Sequence, residues 1–142
     1  MFKLHSQLAQ DTVPVATLEL CQVLLMKDAR FPWLIRVPQK SGLRELHDLA
    51  AGERIQLMEE ISVTSQVLER CHAPDKINVG ALGNLVEQLH IHVIARNQND
   101  DAWPGPVWGQ GTPVPYAQAD LDQIRNDLET ALEAALEDAE IK

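Results

Sequence analysis

No apolar run in this sequence approaches the roughly eighteen residues that a bilayer-crossing helix requires, so no membrane-spanning helix is expected. The opening stretch "MFKLHSQLAQD" lacks the basic-then-apolar pattern of a secretory signal. Cysteine is scarce: Cys21 lies in an apolar run and Cys71 near a helix end, with no metal-ligand spacing between them. That excludes a disulfide framework and predicts two reduced thiols, as expected of a cytoplasmic protein. Basic residues are also few, 12 Lys and Arg against 21 Asp and Glu, for a net charge of −9. Without a basic stripe the chain has no surface suited to a nucleic-acid backbone. A small phosphorylated ligand stays compatible, because backbone amides bind phosphate without help from Lys or Arg.

Internal repeats and low-complexity blocks are absent too, and 142 residues suit one domain, 1–142, with room for a real core. After a polar start, Leu20–Asp28 and Trp33–Gln39 read as two strands a short turn apart, an antiparallel hairpin. "GLRELHDL" reads as a short helix. From Ala51 the periodic Ile55, Met58, Ile61, Ser65 and Leu68 predict the main helix, ended by His72-Ala73-Pro74. "KINVGAL" is a third strand and "QLHIHVIAR", Gln88–Arg96, a fourth. A Pro- and Gly-rich loop follows, and then an amphipathic helix over about 119–141 with Leu121, Ile124, Leu128, Leu132 and Leu136 on one face. Residues 119–142 hold eight acids and two bases, a solvated outer face carrying −6 of the net −9.

The fourth strand is unusual in its polar content. Alternation along a strand puts Gln88, His90 and His92 on one face and Leu89, Ile91 and Val93 on the other. The bland interpretation is a pair of partly buried, hydrogen-bonded histidines. His-x-His on a strand can also chelate zinc, but no third and fourth ligands stand nearby. Upstream, "INVGALGN" turns through Gly80 and Gly83, where the main chain can approach an anion closely, and Asn78 and Asn84 add amide donors. A phosphate-cradling turn running into two imidazoles is the more specific combination.

Here "NVGALGNLVEQLHIHVIAR" resembles the signature of the histidine-triad (HIT) superfamily of nucleotide hydrolases and transferases, His-φ-His-φ-His-φ-φ with φ hydrophobic. The likeness extends to the hairpin ending in "WLIRVP", the long helix and a Trp-containing C-terminal region. It implies an α+β HIT-like fold, a mostly antiparallel sheet with a long packed helix and a C-terminal helix. The chain departs from the pattern twice: Gln88 replaces the first motif histidine, and Trp33 replaces the histidine that usually opens "G-H-φ-φ-φ-x-P".

The resemblance further implies covalent catalysis by His90, the middle histidine, at the α-phosphate of a nucleotide, with His92 and Gln88 assisting. Asn78, Gly83 and Asn84 would hold phosphate. Trp33 is a core or pocket-wall residue or stacks on a base; Trp103 and Trp108 pin the Pro-rich loop, close the pocket or meet a second subunit. His5, His47 and His72 show no partners in the sequence and read as surface or structural residues. The expected activity is hydrolysis of a nucleotide phosphoramidate or dinucleoside polyphosphate, without metal or other cofactor, in a homodimer. The alternative is a nucleotide-binding protein that has lost turnover.

Overall fold

The computed structural model describes residues 1–139. A six-residue helix α1 (Ser6–Asp11) leads into strands β1 (Thr12–Thr17), β2 (Cys21–Met26) and β3 (Trp33–Pro38). Helix α2 (Ala51–His72), strands β4 (Lys76–Gly80) and β5 (Ile91–Arg96), and helix α3 (Gln118–Ala139) follow. The strands form one antiparallel sheet in the order β1-β2-β3-β5-β4. This is the expected α+β architecture with one strand more than predicted. The last two residues of the predicted 119–141 helix lie outside the described residues.

The added strand, β1, hides in what reads as a polar start. Its Val13 and Val15 alternate as a strand should, but Pro14 interrupts them, and proline is tolerated only at sheet edges and bulges. Strand β1 is an edge, and its register shifts between Pro14 and Ala16. The short helix expected over "GLRELHDL" shrinks to a single 3-10 turn, Leu46–Asp48.

Alternation divides the strands between two cores. One face of the sheet carries Cys21, Val23, Leu25, Leu34, Ile91, Val93 and Ala95, which pack under α2 and α3. From α3 come Leu121, Leu128 and Leu132, each burial stabilising by about 1.5–3 kcal/mol relative to exposure. Helix α2 meets this core through Leu57, Ile61, Thr64, Val67 and Leu68, whereas Ile55 and Met58 stand exposed, contrary to the predicted face. The cause is Glu60, which faces inward with no solvent exposure because Arg36 of β3 donates from Nη1 to its Oε1 at 2.9 Å. Arg36 Nε also donates to Thr64 Oγ1. A polar stripe buried against the sheet shifts the apparent apolar face. Ala73 ends α2 in the left-handed region, at φ 46°.

The opposite face of the sheet carries Leu24, Trp33, Ile35, Val37 and Ile94, covered by Leu8 of α1 and by Phe31, Val86, Ala102 and Val107 from the connections. No helix among the described residues is long and apolar enough to cross a membrane.

Candidate active site

On that second face a cleft of about 1330 Å³ opens between α1, the β4–β5 connection and the loop before α3. His90 and His92 both line it, their ring centroids 4.8 Å apart. Strand β5 begins only at Ile91, so His90 and Gln88 lie in the irregular chain just before it. That departure decides how His90 is held. The chain turns so that the Gln88 main-chain carbonyl lies 2.7 Å from His90 Nδ1. A carbonyl only accepts, so Nδ1 carries the proton and Nε2 keeps its lone pair.

His92 has the opposite tautomer. The Trp33 indole N–H donates to His92 Nδ1 at 3.0 Å, and an indole can only donate, so the His92 proton is on Nε2. Burial, aided by neighbouring His90, pushes the His92 pKa down to about 3. At neutral pH it is therefore an uncharged hydrogen-bond donor. Three aromatic rings enclose it: Trp33 at 5.6 Å, Trp108 at 5.2 Å and His90. Gly80, paired with His92 across the sheet, makes room for this packing, because a Cβ there would come within 3.0 Å of Trp108 Cη2.

Gly83, at φ 70°, and Asn84 line the cleft, as do Trp33 and Trp108. Three residues named from the sequence do not. Asn78 Oδ1 instead accepts from Arg96 Nη1 at 2.8 Å. Arg96 is fully buried and also binds Asp100 and the Gly105 carbonyl, which shapes the following loop. Burial alone would raise the Asp100 carboxyl, but hydrogen bonds from Arg96 and from the Asn97 and Ala102 amides hold it down to about 2. Trp103 belongs to the same assembly, under the Arg96 guanidinium at 5.8 Å, and so pins the loop. The Gln88 side chain turns to the N-terminal segment, donating to the Lys3 carbonyl and accepting from the His5 amide, both at 2.8 Å. Alternation fails for Gln88 because the strand has not yet begun.

The cleft also gathers residues that sequence reasoning passed over. His5, Gln7, Gln10 and Asp11 form one wall, and Lys27, Asp28 and Arg30 another. Arg30 clamps the two oxygens of buried Asp28 and donates to the Gln110 carbonyl at 2.6 Å, which ties the loop before α3 to the end of β2. His47 stays exposed beside a smaller cleft, and half-buried His72 lies outside both. Among the described residues no three His, Cys, Asp or Glu side chains converge as a metal site. His90 and His92 each commit one nitrogen elsewhere, to a carbonyl and an indole.

A five-stranded antiparallel sheet that presents paired imidazoles to a cleft defines the α+β class of histidine-triad folds. Residues 7–99 match the HIT domain family model, and the chain belongs to that family. It is similar to a histidine triad protein from Marinobacter aquaeolei, at 45% identity over 95% of this chain and 98% of the other, with a TM-score of 0.91. A histidine triad protein from Bradyrhizobium japonicum is 42% identical over 92% and 98% of the two chains, with a TM-score of 0.90. A hypothetical histidine triad nucleotide-binding protein from Sulfolobus tokodaii shares the fold at 13% identity, over 88% and 86% of the chains, with a TM-score of 0.67. No curated protein matches the sequence. HIT proteins are generally nucleotide-binding hydrolases and transferases.

Proposed function

We propose that this protein is a nucleotide hydrolase or nucleotidyl transferase that works through a covalent nucleotidyl-His90. The observation that carries the reading is the 2.7 Å contact between His90 Nδ1 and the Gln88 carbonyl. It leaves Nε2 as a neutral nucleophile facing the cleft chemistry, and the bonded carbonyl stabilises the positive ring that attack creates. In the first step Nε2 bonds to the α-phosphorus and the bond to the leaving group breaks. The leaving group departs with that electron pair and takes a proton from water. In the second step water, or another acceptor, attacks phosphorus and gives up a proton to solvent, which neutralises the hydroxide left by the first step. The P–N bond breaks with its electron pair returning to Nε2, so that His90 regains its starting tautomer.

His92 donates from Nε2 to a non-bridging phosphate oxygen. As a neutral donor it orients charge without transferring a proton, a role a neutral imidazole fills well. Gly83 and Asn84 hold the phosphate from the β4–β5 connection. Gln88 assists through its main chain. Nucleotide phosphoramidates and dinucleoside polyphosphates are the substrates we favour, because both present an α-phosphate with a leaving group.

A second reading is a nucleotide-binding protein without turnover. In its favour are an uncharged His92 and an amide where the family pattern has a further imidazole. His90→Ala separates the two readings. The enzyme loses turnover and keeps nucleotide affinity within a few-fold; survival of both would remove His90 as nucleophile.

We also place the protein in the cytoplasm, where free Cys21 and exposed Cys71 stay reduced. A homodimer would cover the exposed Ile55 and Met58 of α2 and Val79 on the edge strand β4. Light scattering on eluted protein tests it: a monomer mass at micromolar concentration would dismiss the dimer.

A further inference from the structure

Gln88 takes the place of an imidazole in the motif, yet both the oxygen and the nitrogen of its side chain are engaged. Its carboxamide donates to the Lys3 carbonyl and accepts from the His5 amide, each at 2.8 Å. One side chain thus pairs with the N-terminal segment as a strand's peptide group would. Glutamate lacks the donor for this, and asparagine is a methylene shorter. Inside the segment, Phe2 and Leu4 pack against the core that contains Trp33 and Ile94, and their neighbours Lys3 and His5 are left exposed.

His5 is itself constrained. Its Nδ1 accepts from the Gln7 amide at 3.0 Å and caps α1, so its proton is on Nε2. It lines the same cleft as His90 and His92, from the α1 wall. The cleft therefore gathers three imidazoles, one contributed by His5, 83 residues away in sequence from the position where Gln88 stands.

We propose that His5 contacts the phosphate of the bound nucleotide through Nε2–H, and that Gln88 is the positioning residue that holds His5 there. The substitution in the motif is on this account an exchange of one imidazole for another, delivered by the N-terminus. The proposal rests on the nucleotide reading given above.

Calorimetric titration of the full chain with AMP, GMP and the corresponding nucleosides tests it. His5→Ala should weaken the tighter monophosphate about tenfold or more, the lower end for one hydrogen bond to a charged group. Nucleoside affinity should stay within twofold. His5→Asn, which keeps an N-cap acceptor but removes the imidazole Nε2–H, should show the same loss. Gln88→Ala should reproduce it, and the double variant His5→Asn with Gln88→Ala should lose no more than either alone, because both act on one contact.

A loss confined to His5→Ala and absent in His5→Asn would reduce His5 to a helix cap and overturn the proposal. So would a lowered thermal midpoint in Gln88→Ala with unchanged monophosphate affinity. Unchanged affinity in every variant, beside normal turnover of the wild type, would overturn the His5 role and leave the nucleotide reading standing. A wild type that binds no nucleotide would overturn both.

Discussion

Trp33→Phe isolates the contact that sets the state of His92. The change keeps an aromatic ring but deletes the indole N–H that reaches His92 Nδ1 at 3.0 Å. His92 is buried, so the deleted donor leaves an acceptor without a partner, at a cost of about 1–3 kcal/mol. The smaller ring adds a packing loss of its own, and a double-mutant cycle with His92→Phe removes it. The coupling should come to about 1 kcal/mol, the net worth of one such bond, which corresponds to roughly a fivefold change in tautomer ratio. Nitrogen-15 NMR of the imidazoles reads that ratio directly. The wild type should hold Nδ1 unprotonated and Nε2 protonated from pH 8 to pH 5, because burial keeps His92 neutral. In Trp33→Phe the two nitrogen shifts should move toward each other as the second tautomer fills. A wild-type His92 protonated on Nδ1, or a coupling near zero, would refute the reasoning.

Other consequences are as direct. His92, with its pKa pushed down to about 3, stays neutral in the native chain where the unfolded chain takes up a proton, and half-buried His72, also lowered by burial, acts in the same direction. Between the ordinary imidazole value of about 6.5 and the native value of about 3, stability should therefore fall with pH by up to about 1.4 kcal/mol per pH unit on account of His92. Urea unfolding at pH 7, 5.5 and 4.5 should show a shallower decline in His92→Asn than in the wild type. Glu60→Ala strands the Arg36 charge, whose pKa burial already depresses to about 10, and should cost about 3–5 kcal/mol in the same assay. Gly80→Ala crowds Trp108 Cη2, so it should shift the tryptophan emission and cost about 1 kcal/mol; an unaltered spectrum would show the ring is not packed there.

The elements legible in the sequence as elements are those with strong local spacing and clear breakers. The β2–β3 hairpin, α2 and α3 follow from apolar spacing and from breakers at Pro38 and Pro74. Helix α1 spans only six residues and depends on a cap from His5, too little local signal for a helix in isolation. Strand β1 is obscured by Pro14, which an edge strand with a bulge tolerates. The inward face of α2 misled because Glu60 and Thr64 are buried by Arg36, a residue on another element.

The candidate site divides along the same line. His92 was legible from strand alternation and His90 from the likeness to the HIT signature, although His90 lies just before the strand; the cleft brings them together. The bond from Trp33 spans 59 residues and that from Gln88 to Lys3 spans 85, so neither leaves a local trace. A tryptophan where the family pattern has a histidine was the one available hint, since both residues carry a ring N–H. Asn78 was misplaced for a related reason. Its strand pairs with the one that bears Arg96, and the guanidinium claims the amide oxygen before a ligand can.

The central claim is that His90 attacks phosphorus, and a rapid-quench experiment tests it most directly. Wild type and His90→Ala would be mixed with a nucleotide phosphoramidate, quenched in base because phosphorylated imidazole is acid-labile, and measured by intact mass with peptide mapping. The account predicts a transient gain of one nucleotidyl group, mapped to His90 and absent in His90→Ala, which also loses turnover. Turnover that persists in His90→Ala, with no adduct on the wild type at any quench time, would contradict it.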